Sequence, residues 1–466
     1  MPVPGKKRKD VTGVIIYKPE SGLPCNYEFY RINALTKGNI YMKKRPFICL
    51  SEPHLEYDVI EPGCKPDIIP VPQKAVLFFD KAYDKKGALL FNEGVGVKTG
   101  QKLALYADSE EYIISTVTGT ISSISPYIGD FGKFCTSVQI DVAEDETDDA
   151  FGKVSGNPGI DTVRNYLSSL PGILPVKSFI DPDNKIDTIV ITGADSDMLV
   201  VTSQYIVNSK MAHIVKGIEI LKSITGINNI VLTVRKDSLQ GYGHIGAEVK
   251  NIGTRYPSAF RQLVIKESLG RILPAGKKPE DIGVCVINAE AVASLGSAFL
   301  HNRIPTDKII TLINKDGTKK LVSARIGTPL GDILRAFNIT LNHGDRLILG
   351  GPMAGSPLYS EDYPVLPDTD AIMVQDKNQI QPVSDYPCIN CGDCIRACPA
   401  DIPVNMLVRY LEAKMYPQAA EEYDLYSCIE CGLCSYVCVS KIPISQYIRL
   451  AKYELAGINR AEAANA

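Results

Sequence analysis

The side chains best suited to chemistry in this sequence are cysteines. Eight of the 13 cysteines in the 466-residue chain fall in two short runs near its C-terminal end, and both runs have the same spacing. The runs are Cys388, Cys391, Cys394 and Cys398, and Cys428, Cys431, Cys434 and Cys438. No secretory leader is recognised, so these thiols are expected in a reducing compartment as thiolate metal ligands rather than disulfides.

The spacing C-x-x-C-x-x-C-x-x-x-C is typical of the bacterial ferredoxin motif for 4Fe-4S clusters, in which the fourth cysteine of each run ligates the other cluster. This crossed ligation predicts cluster 1 on Cys388, Cys391, Cys394 and Cys438. It predicts cluster 2 on Cys428, Cys431, Cys434 and Cys398. Zinc is the alternative metal, but a zinc ribbon uses two separated cysteine pairs rather than four cysteines within 11 residues. The motif therefore predicts two clusters and a function in electron transfer.

The two runs belong to an internal repeat of 40 residues, in which Cys388 corresponds to Cys428 and Pro403 to Pro443. Each proline precedes an amphipathic segment and is expected at the start of a helix. The apolar faces are Val404, Leu407, Val408 and Leu411 in the first segment and Ile444, Tyr447, Ile448 and Ala451 in the second. Two such helices can pack over the clusters and exclude water, which predicts an α-helical two-cluster ferredoxin module over residues 387–466.

The other cysteines and the histidines lack ligand spacing. The five remaining cysteines are Cys25, Cys49, Cys64, Cys135 and Cys285, which we interpret as buried or half-buried small apolar side chains. The five histidines are His54, His213, His244, His301 and His343, and their spread along the chain predicts no pairing and no histidine metal site.

Composition limits the remaining function classes. The chain is 45% hydrophobic and 22% charged, which is typical of a folded protein and argues against wholesale disorder. A net charge of -3 gives no general attraction to nucleic acid. No apolar run reaches the 18 or so residues that a transmembrane helix needs, so any membrane association is expected to be peripheral.

The chain ahead of the cysteines changes pattern several times. Residues 1–74 are interpreted as an N-terminal extension, and residues 75–150 as a small all-β module of short strands broken by turns. From 151 to 305, apolar strands alternate with helical segments, one of them from Ser203 to Ile224, which predicts a parallel α/β sheet. Residues 306–360 have the order strand, strand, short helix, strand of a compact α+β unit, and residues 361–386 are interpreted as a linker.

This order of modules resembles the C subunit of the Rnf electron-transport complex, from about residue 50 onward. The landmarks are the segments GVGVKTGQKLA, STVTGTI, PEDIGVCVINAEAVASL and RIGTPLGDIL, and the stretch Gly350–Gly355, which is similar to the family's Gly-Gly-Pro-Met-Met-Gly. The resemblance implies a multidomain α/β and α+β protein. It implies a barrel-sandwich-hybrid β module, a domain similar to the flavin and NADH domain of complex I, and a soluble-ligand-binding (SLBB) β-grasp unit before the ferredoxin module.

In that family the central domain binds FMN and accepts hydride from NADH, and the flavin phosphate lies against the loop Gly-x-Gly-Gly-Ala-Gly-Phe-Pro. The matching stretch here, residues 168–175, reads SSLPGILP and keeps a single glycine, Gly172. The family's Glu-Cys-Glu-Pro is replaced by residues 195–198, which retain carboxylates at Asp195 and Asp197. After Tyr256-Pro257, Ser258 stands in place of a family glycine. The sequence therefore assigns no FMN-binding residue.

Two functional hypotheses follow. The first is an electron-transfer subunit without catalytic residues of its own, which relays electrons through two 4Fe-4S clusters within a larger, membrane-associated oxidoreductase complex. Its partners would be protein redox partners, either other subunits or a soluble dehydrogenase, and its location the cytoplasm or the cytoplasmic face of the membrane. The alternative is an FMN-dependent NADH dehydrogenase subunit that feeds its own clusters, and the retained Asp195 and Asp197 favour it.

Overall fold

A computed structural model describes residues 29–31, 41–43, 53–80, 89–107, 111–129, 134–156, 158–237 and 245–465. The chain divides into two compact units: Tyr57–Asn378, and Gln379–Ala466 together with Met1–Glu56. Across the described ranges, every helix is too short or too polar to cross a bilayer. Three residues discussed above, Cys25, Cys49 and His244, lie outside the described part of the chain.

Short antiparallel strands begin the described structure. Strands β1 (Phe29–Arg31), β2 (Tyr41–Lys43) and β3 (Pro53–His54) form one sheet. The next strands are β4 (Asp67–Ile68), β5 (Lys74–Phe79), β6 (Gly96–Val97), β7 (Lys102–Leu103), β8 (Ile113–Ile114), β9 (Gly119–Ile128) and β10 (Phe134–Val142). Strands β5, β10, β9 and β6 form an antiparallel sheet in that order, and β7 pairs with β8. The alternation that predicts this all-β module buries Leu77 beside its cross-strand partner Val138.

A parallel sheet covered by helices follows. Its elements are α1 (Ala150–Val154), α2 (Ile160–Tyr166), α3 (Val176–Ile180), β11 (Thr188–Thr192), α4 (Thr202–Ser209), α5 (Met211–Thr225), β12 (Ile230–Arg235), β13 (Glu248–Ile252), α6 (Arg261–Leu269), β14 (Val284–Asn288) and α7 (Ala289–His301). The strand order is β13-β12-β11-β14, and every pair is parallel. All six residues of β12 are buried, because helices cover both faces of the sheet.

The single helix predicted from Ser203 to Ile224 is wrong, because the structure has two helices, α4 and α5. The chain leaves the helical region at Lys210, with φ -117° and ψ 22°. Helix α5 also makes a close tertiary contact. Gly217 of α5 packs against the backbone of α7 so closely that a Cβ atom there would lie 2.0 Å from the carbonyl oxygen of Val292.

The larger unit ends in a mixed sheet. Its elements are β15 (Asp307–Ile313), β16 (Lys319–Arg325), α8 (Leu330–Ala336), β17 (Arg346–Leu349), β18 (Ser356–Leu358) and β19 (Ala371–Gln375). The strand order is β18-β17-β19-β15-β16-β4. The structure corrects the predicted linker of residues 361–386, since β19 lies inside the sheet between β17 and β15. Four apolar residues in a row, Ala371 to Val374, are buried there, and such a short run is hard to tell from a loop by sequence.

The C-terminal unit is helical. It contains α9 (Asp393–Arg396), α10 (Val404–Glu412), α11 (Tyr416–Glu422), α12 (Leu433–Val437) and α13 (Ile444–Asn465). The predicted apolar faces are confirmed: α10 buries its four predicted residues, and α13 buries three of its four, with Tyr447 packed against the same core. Pro403 and Pro443 directly precede the two helices, as predicted.

Candidate functional site

The eight cysteines of the two runs line two cavities in the C-terminal unit. Cavity A is lined by Cys388, Cys391, Cys394 and Cys438. Cavity B is lined by Cys398, Cys428, Cys431 and Cys434. The cavities have volumes of about 370 Å³ and about 430 Å³, including open space. Each cavity combines three cysteines of one run with the fourth of the other, which is the grouping named above for clusters 1 and 2; the ligation itself stays a prediction.

The loops that carry the cysteines have matching backbone conformations, so the sequence repeat is also a structural repeat. Asn390 and Glu430, at corresponding positions, both have φ 59°, and the glycines two residues later have φ 79° and φ 76°. These left-handed residues turn backbone amides toward sulfur, so that the amide of Glu430 donates to Cys428 Sγ across 3.4 Å. The fourth cysteine of each run follows a short helix, α9 or α12, and reaches the other cavity.

The two cavities are neighbours. Val404, the first residue of α10, lines both of them and is itself buried. Ile444, the corresponding first residue of α13, lines cavity A, and Ile448 one turn later lines cavity B. The two amphipathic helices therefore form an apolar partition between two groups of four sulfur atoms.

The surroundings of the cavity cysteines disfavour a bare thiolate. Burial raises the pKa of the Cys431 thiol to about 12 and that of the Cys394 thiol to about 11. Thiolates at these positions need a cation bonded to them, because the surrounding apolar side chains do not solvate negative charge. Four sulfur donors facing one cavity meet that need with the ligand set that iron–sulfur clusters use. The residues of both cavities therefore fit 4Fe-4S clusters.

Cavity B has a charged neighbour. Lys452 of α13 donates from Nζ to the carbonyl oxygen of Cys428 and to Glu430 Oε1, at 2.8 Å in each case. Arg449 Nε lies 3.5 Å from Glu430 Oε2, so two cations share one carboxylate. Burial raises the pKa of the Cys428 thiol, while the amide of Glu430 and the charge of Lys452 act against that rise. The Lys452 charge is therefore felt at a sulfur of cavity B.

A third cavity, cavity C, lies at the carboxyl ends of β11 and β14, where parallel sheets usually bind ligands. It encloses about 1270 Å³, including open space, and its lining includes Gly172, Thr192, Ala194, Asn288 and Asp370. The resemblance places the flavin at this edge of the sheet. A flavin phosphate would need backbone amides from the loop of residues 168–175.

The loop beside cavity C does not fit a flavin phosphate. The amide of Gly172 donates to the carbonyl oxygen of Pro367 across 2.7 Å, and the amide of Ile173 donates to that of Leu170 across 2.8 Å. Pro171 and Pro175 have no amide hydrogen to offer. These four positions of the loop therefore hold no amide that is available to an anion.

The N-terminus of α7, which adjoins the same loop, is also covered by the chain itself. The side chain of Asn288 accepts a hydrogen bond from the amide of Glu290 across 2.8 Å and caps the helix. Gly172, with φ 88°, lies so close that a Cβ atom there would be 2.5 Å from the amide nitrogen of Ala291. The loop thus occupies the space in front of the helix in which an anion would otherwise be held.

The two aspartates that favour the flavin alternative are used inside the fold. Asp195 accepts hydrogen bonds from the amide of Ser203 across 2.6 Å and from Gln204 Nε2 across 3.0 Å. Asp197 accepts from the amides of Met353 and Ala354, at 3.1 and 2.8 Å. Both carboxylates are buried. Asp195 thus stabilises the start of α4, and Asp197 stabilises the glycine-rich turn after β17. These structural roles explain why both carboxylates are retained.

Two contacts in the α/β region do not follow from any sequence pattern. The prediction that histidines are unpaired is wrong for His213 and His301, whose Nε2 atoms lie 3.4 Å apart because α5 packs against α7. A buried ion-pair group is also present: Lys308 contacts Glu290, and its Nζ lies 2.9 Å from Asp370. These residues are far apart in the chain, and no spacing pattern links them.

The remaining described cysteines follow the prediction. Cys135 and Cys285 are buried and Cys64 is half-buried, and none of the three is in a disulfide. Burial raises the pKa of the Cys285 thiol to about 12. The interpretation of these three cysteines as small apolar side chains is therefore confirmed.

The chain combines a mixed α/β domain with a helical unit whose two four-cysteine cavities are of the kind that iron–sulfur proteins use. Two family models match the chain: the Nuo51 FMN-binding domain over residues 174–297 and the 4Fe-4S dicluster domain over residues 381–439. The first match begins after Gly172. The multidomain α/β prediction with a ferredoxin-type iron–sulfur domain is confirmed at this level of detail.

The chain is similar in sequence to C subunits of ion-translocating oxidoreductase complexes. It is 27% identical over 392 residues to the C subunit of the proton-translocating ferredoxin:NAD(+) oxidoreductase complex of Clostridium ljungdahlii, covering 77% of this chain and 83% of that protein. It is 27% identical over 262 residues to the C subunit of the ion-translocating oxidoreductase complex of Buchnera aphidicola, covering 53% of this chain and about half, 55%, of the relative. The predicted resemblance to the Rnf C subunit is confirmed.

A solved structure is also similar to this chain, at lower sequence identity. The NAD+-reducing NiFe hydrogenase in the H2-reduced state is 14% identical, with a TM-score of 0.43, covering 68% of each chain.

Proposed function

We propose that this protein is the electron-transfer subunit of an Rnf-type oxidoreductase complex and that it relays electrons through two 4Fe-4S clusters. The observation that carries the proposal is the pair of four-cysteine cavities with Val404 between them. When bound, such clusters take up and release one electron at a time. The names of the relatives, ferredoxin:NAD(+) and ion-translocating oxidoreductase complexes, supply the kind of assembly.

The protein's own residues have three tasks in this function. Cys388, Cys391, Cys394 and Cys438 hold cluster 1 in cavity A. Cys398, Cys428, Cys431 and Cys434 hold cluster 2 in cavity B. Helices α10 and α13 would limit the access of water to the sulfur atoms, with Cys391 at the exposed side, and Val404 would set the thickness of the apolar partition between the two centres.

The rest of the chain would serve as scaffold and docking surface. We propose the module boundaries 75–150, 151–305, 306–360 with the added strand β19, and 387–466. The first would be a barrel-sandwich hybrid, the second a relative of the complex I flavin domain, and the third an SLBB β-grasp unit. The β15-β16-α8-β17 order with β19 supports the last of these assignments. The partners would be protein redox partners, and the location peripheral, on the cytoplasmic face of a membrane.

The flavin alternative is supported by the match to an FMN-binding family and by the volume of cavity C. The loop argues against it, since its amides at Gly172 and Ile173 are already bonded to carbonyl oxygens. We therefore assign no step to FMN in this chain. Electrons would arrive at a cluster directly from a partner protein.

One experiment separates the two functions. The anaerobically purified full chain is assayed for iron, acid-labile sulfide and flavin, and NADH is then added while the cluster absorbance is followed. We expect about eight irons for two 4Fe-4S clusters, no flavin and no bleaching by NADH, with bleaching by dithionite as the positive control. Bound FMN with bleaching by NADH alone would establish the dehydrogenase instead. Zinc in place of iron would overturn both.

A further inference from the structure

Cavities A and B are related by the internal repeat, but their charged surroundings differ. At cavity B, Glu430 lies between the first two cysteines of the run and is bonded to Lys452. At cavity A the corresponding residue is Asn390, whose side chain is bonded to Asn405 across 2.7 Å. The position 40 residues before Lys452 is Glu412, which is exposed. Cavity A has a cation from a different position: Arg396 donates to the carbonyl oxygen of Cys391 across 3.3 Å and pairs with Asp393. One carboxylate thus balances one cation at cavity A, whereas two cations share one carboxylate at cavity B.

Lys452 is placed to act on the centre in cavity B. Its side chain is 22% exposed, so solvent and salt screen its charge less than that of a surface lysine. Its contact with the carbonyl oxygen of Cys428 holds Nζ against the loop that carries the first sulfur of this cavity. Arg449 shares Glu430 with Lys452, so the three residues carry a net charge of about +1.

We infer that Lys452 raises the reduction potential of the cluster in cavity B and so biases a single electron toward that side of Val404. The inference rests on the proposed function. Reduction adds one negative charge to a cluster, and a nearby positive charge stabilises the reduced form by Coulomb attraction. At cavity A the charge of Arg396 is offset by Asp393, so that cavity lacks the net positive charge found at cavity B. Lys452 is a tuning residue and makes no bond to a cluster.

The test is a redox titration of the full holoprotein followed by EPR, with iron content measured for every variant. Lys452→Met removes the cation, and we expect a lower potential for one cluster and an unchanged potential for the other. Glu430→Gln frees the cations from their counter-charge, and we expect the same cluster to shift upward. Lys452→Arg keeps the positive charge, so its cluster potentials should stay close to those of the wild-type protein. Lys414→Met, at an exposed position of the same unit, is the matched control.

Opposite shifts in Lys452→Met and Glu430→Gln distinguish an electrostatic role from a structural one, because general damage to the loop would not reverse sign. Shifts in the same direction, equal shifts of both clusters, or a Lys452→Met effect no larger than that of Lys414→Met would overturn the inference. If Lys452→Met does not assemble its clusters, Glu430→Gln still decides it by the sign of its shift: a downward shift or no shift would overturn the inference. A wild-type protein without iron would instead overturn the proposed function.

Discussion

The backbone amide of Gly172 donates a hydrogen bond to the carbonyl oxygen of Pro367 across 2.7 Å. This bond fixes the remnant of the glycine loop against the chain that leads into β19. It also removes the amide that a flavin phosphate would need. The relationship therefore links a packing contact to the loss of one amide donor from this loop.

Gly172→Ala is expected to destabilise the larger unit by roughly 2–5 kcal/mol. The left-handed backbone strains any residue with a Cβ atom, and that atom would overlap the start of α7. The measurement is denaturant unfolding of the full chain followed by circular dichroism, using the transition that iron removal does not affect. Gly226→Ala is the control, because Gly226 has φ 71° but open space around it, and about 1 kcal/mol is expected there. Equal losses in both variants would contradict the overlap argument.

Cys398→Ser is expected to damage the centre in cavity B, although Cys398 belongs to the first run. About four of eight irons should remain, since one 4Fe-4S cluster keeps its full ligand set. The EPR spectrum that remains should match that of Cys431→Ser and differ from that of Cys391→Ser. Cys64→Ser, at a half-buried free thiol, should leave the iron content unchanged. A spectrum matching Cys391→Ser would show that each run ligates its own cluster.

Lys308→Met is expected to destabilise the larger unit by about 3–5 kcal/mol, because it leaves the carboxylates of Glu290 and Asp370 without their cation. Lys308 and Glu290 are both buried, whereas the side chain of Asp370 is 38% exposed, so the pair with Glu290 is the one shielded from water. Lys320→Met removes a lysine from an ion pair with Asp67 in which both side chains are 58% exposed, and less than about 1 kcal/mol is expected. The loss should shrink when Glu290→Gln is added to Lys308→Met. A loss that is unchanged in the double variant would contradict this assignment.

The stability contributed by Asp195 is expected to fall as the pH rises. Burial raises the pKa of its carboxyl to about 6 from an ordinary value of 3.8. The folded state therefore holds its proton over a range in which the unfolded state has lost it, so the contribution is complete below about pH 4 and lost through about pH 6. The free energy of unfolding of the wild-type protein relative to Asp195→Asn should fall by about 2 kcal/mol from pH 4 to pH 7.

The control for the Asp195 experiment is Asp183→Asn, which removes an exposed carboxyl from the same unit. Its stability should follow that of the wild-type protein at every pH. A difference between the wild-type protein and Asp195→Asn that is constant with pH, or that grows as the pH rises, would show that Asp195 is already ionised at pH 4 in the folded protein.

Local patterns in the sequence predict much of this fold. Alternating and continuous apolar runs locate the β module and the strands of the parallel sheet. Such a run is a local signal, because the buried faces of a strand are set by the order of apolar residues within that strand. The structure departs from such patterns at two places. The helix predicted over residues 203–224 breaks at Lys210, and the predicted linker contributes β19, whose five residues are a strand only because β15 and β17 lie on either side.

For the candidate site, the sequence by itself determined the cysteine spacing, the 40-residue repeat and the two amphipathic helices, all of which depend on residues close together in the chain. Only the tertiary structure decided that Val404 lies between the two cavities, that Lys452 lies beside Cys428, and that Asp195 and Asp197 face inward. It also decided that the Gly172 amide is bonded to Pro367. These contacts join residues from separate elements, and hydrogen bonds and charges act over a few ångströms in space, whatever the separation along the chain.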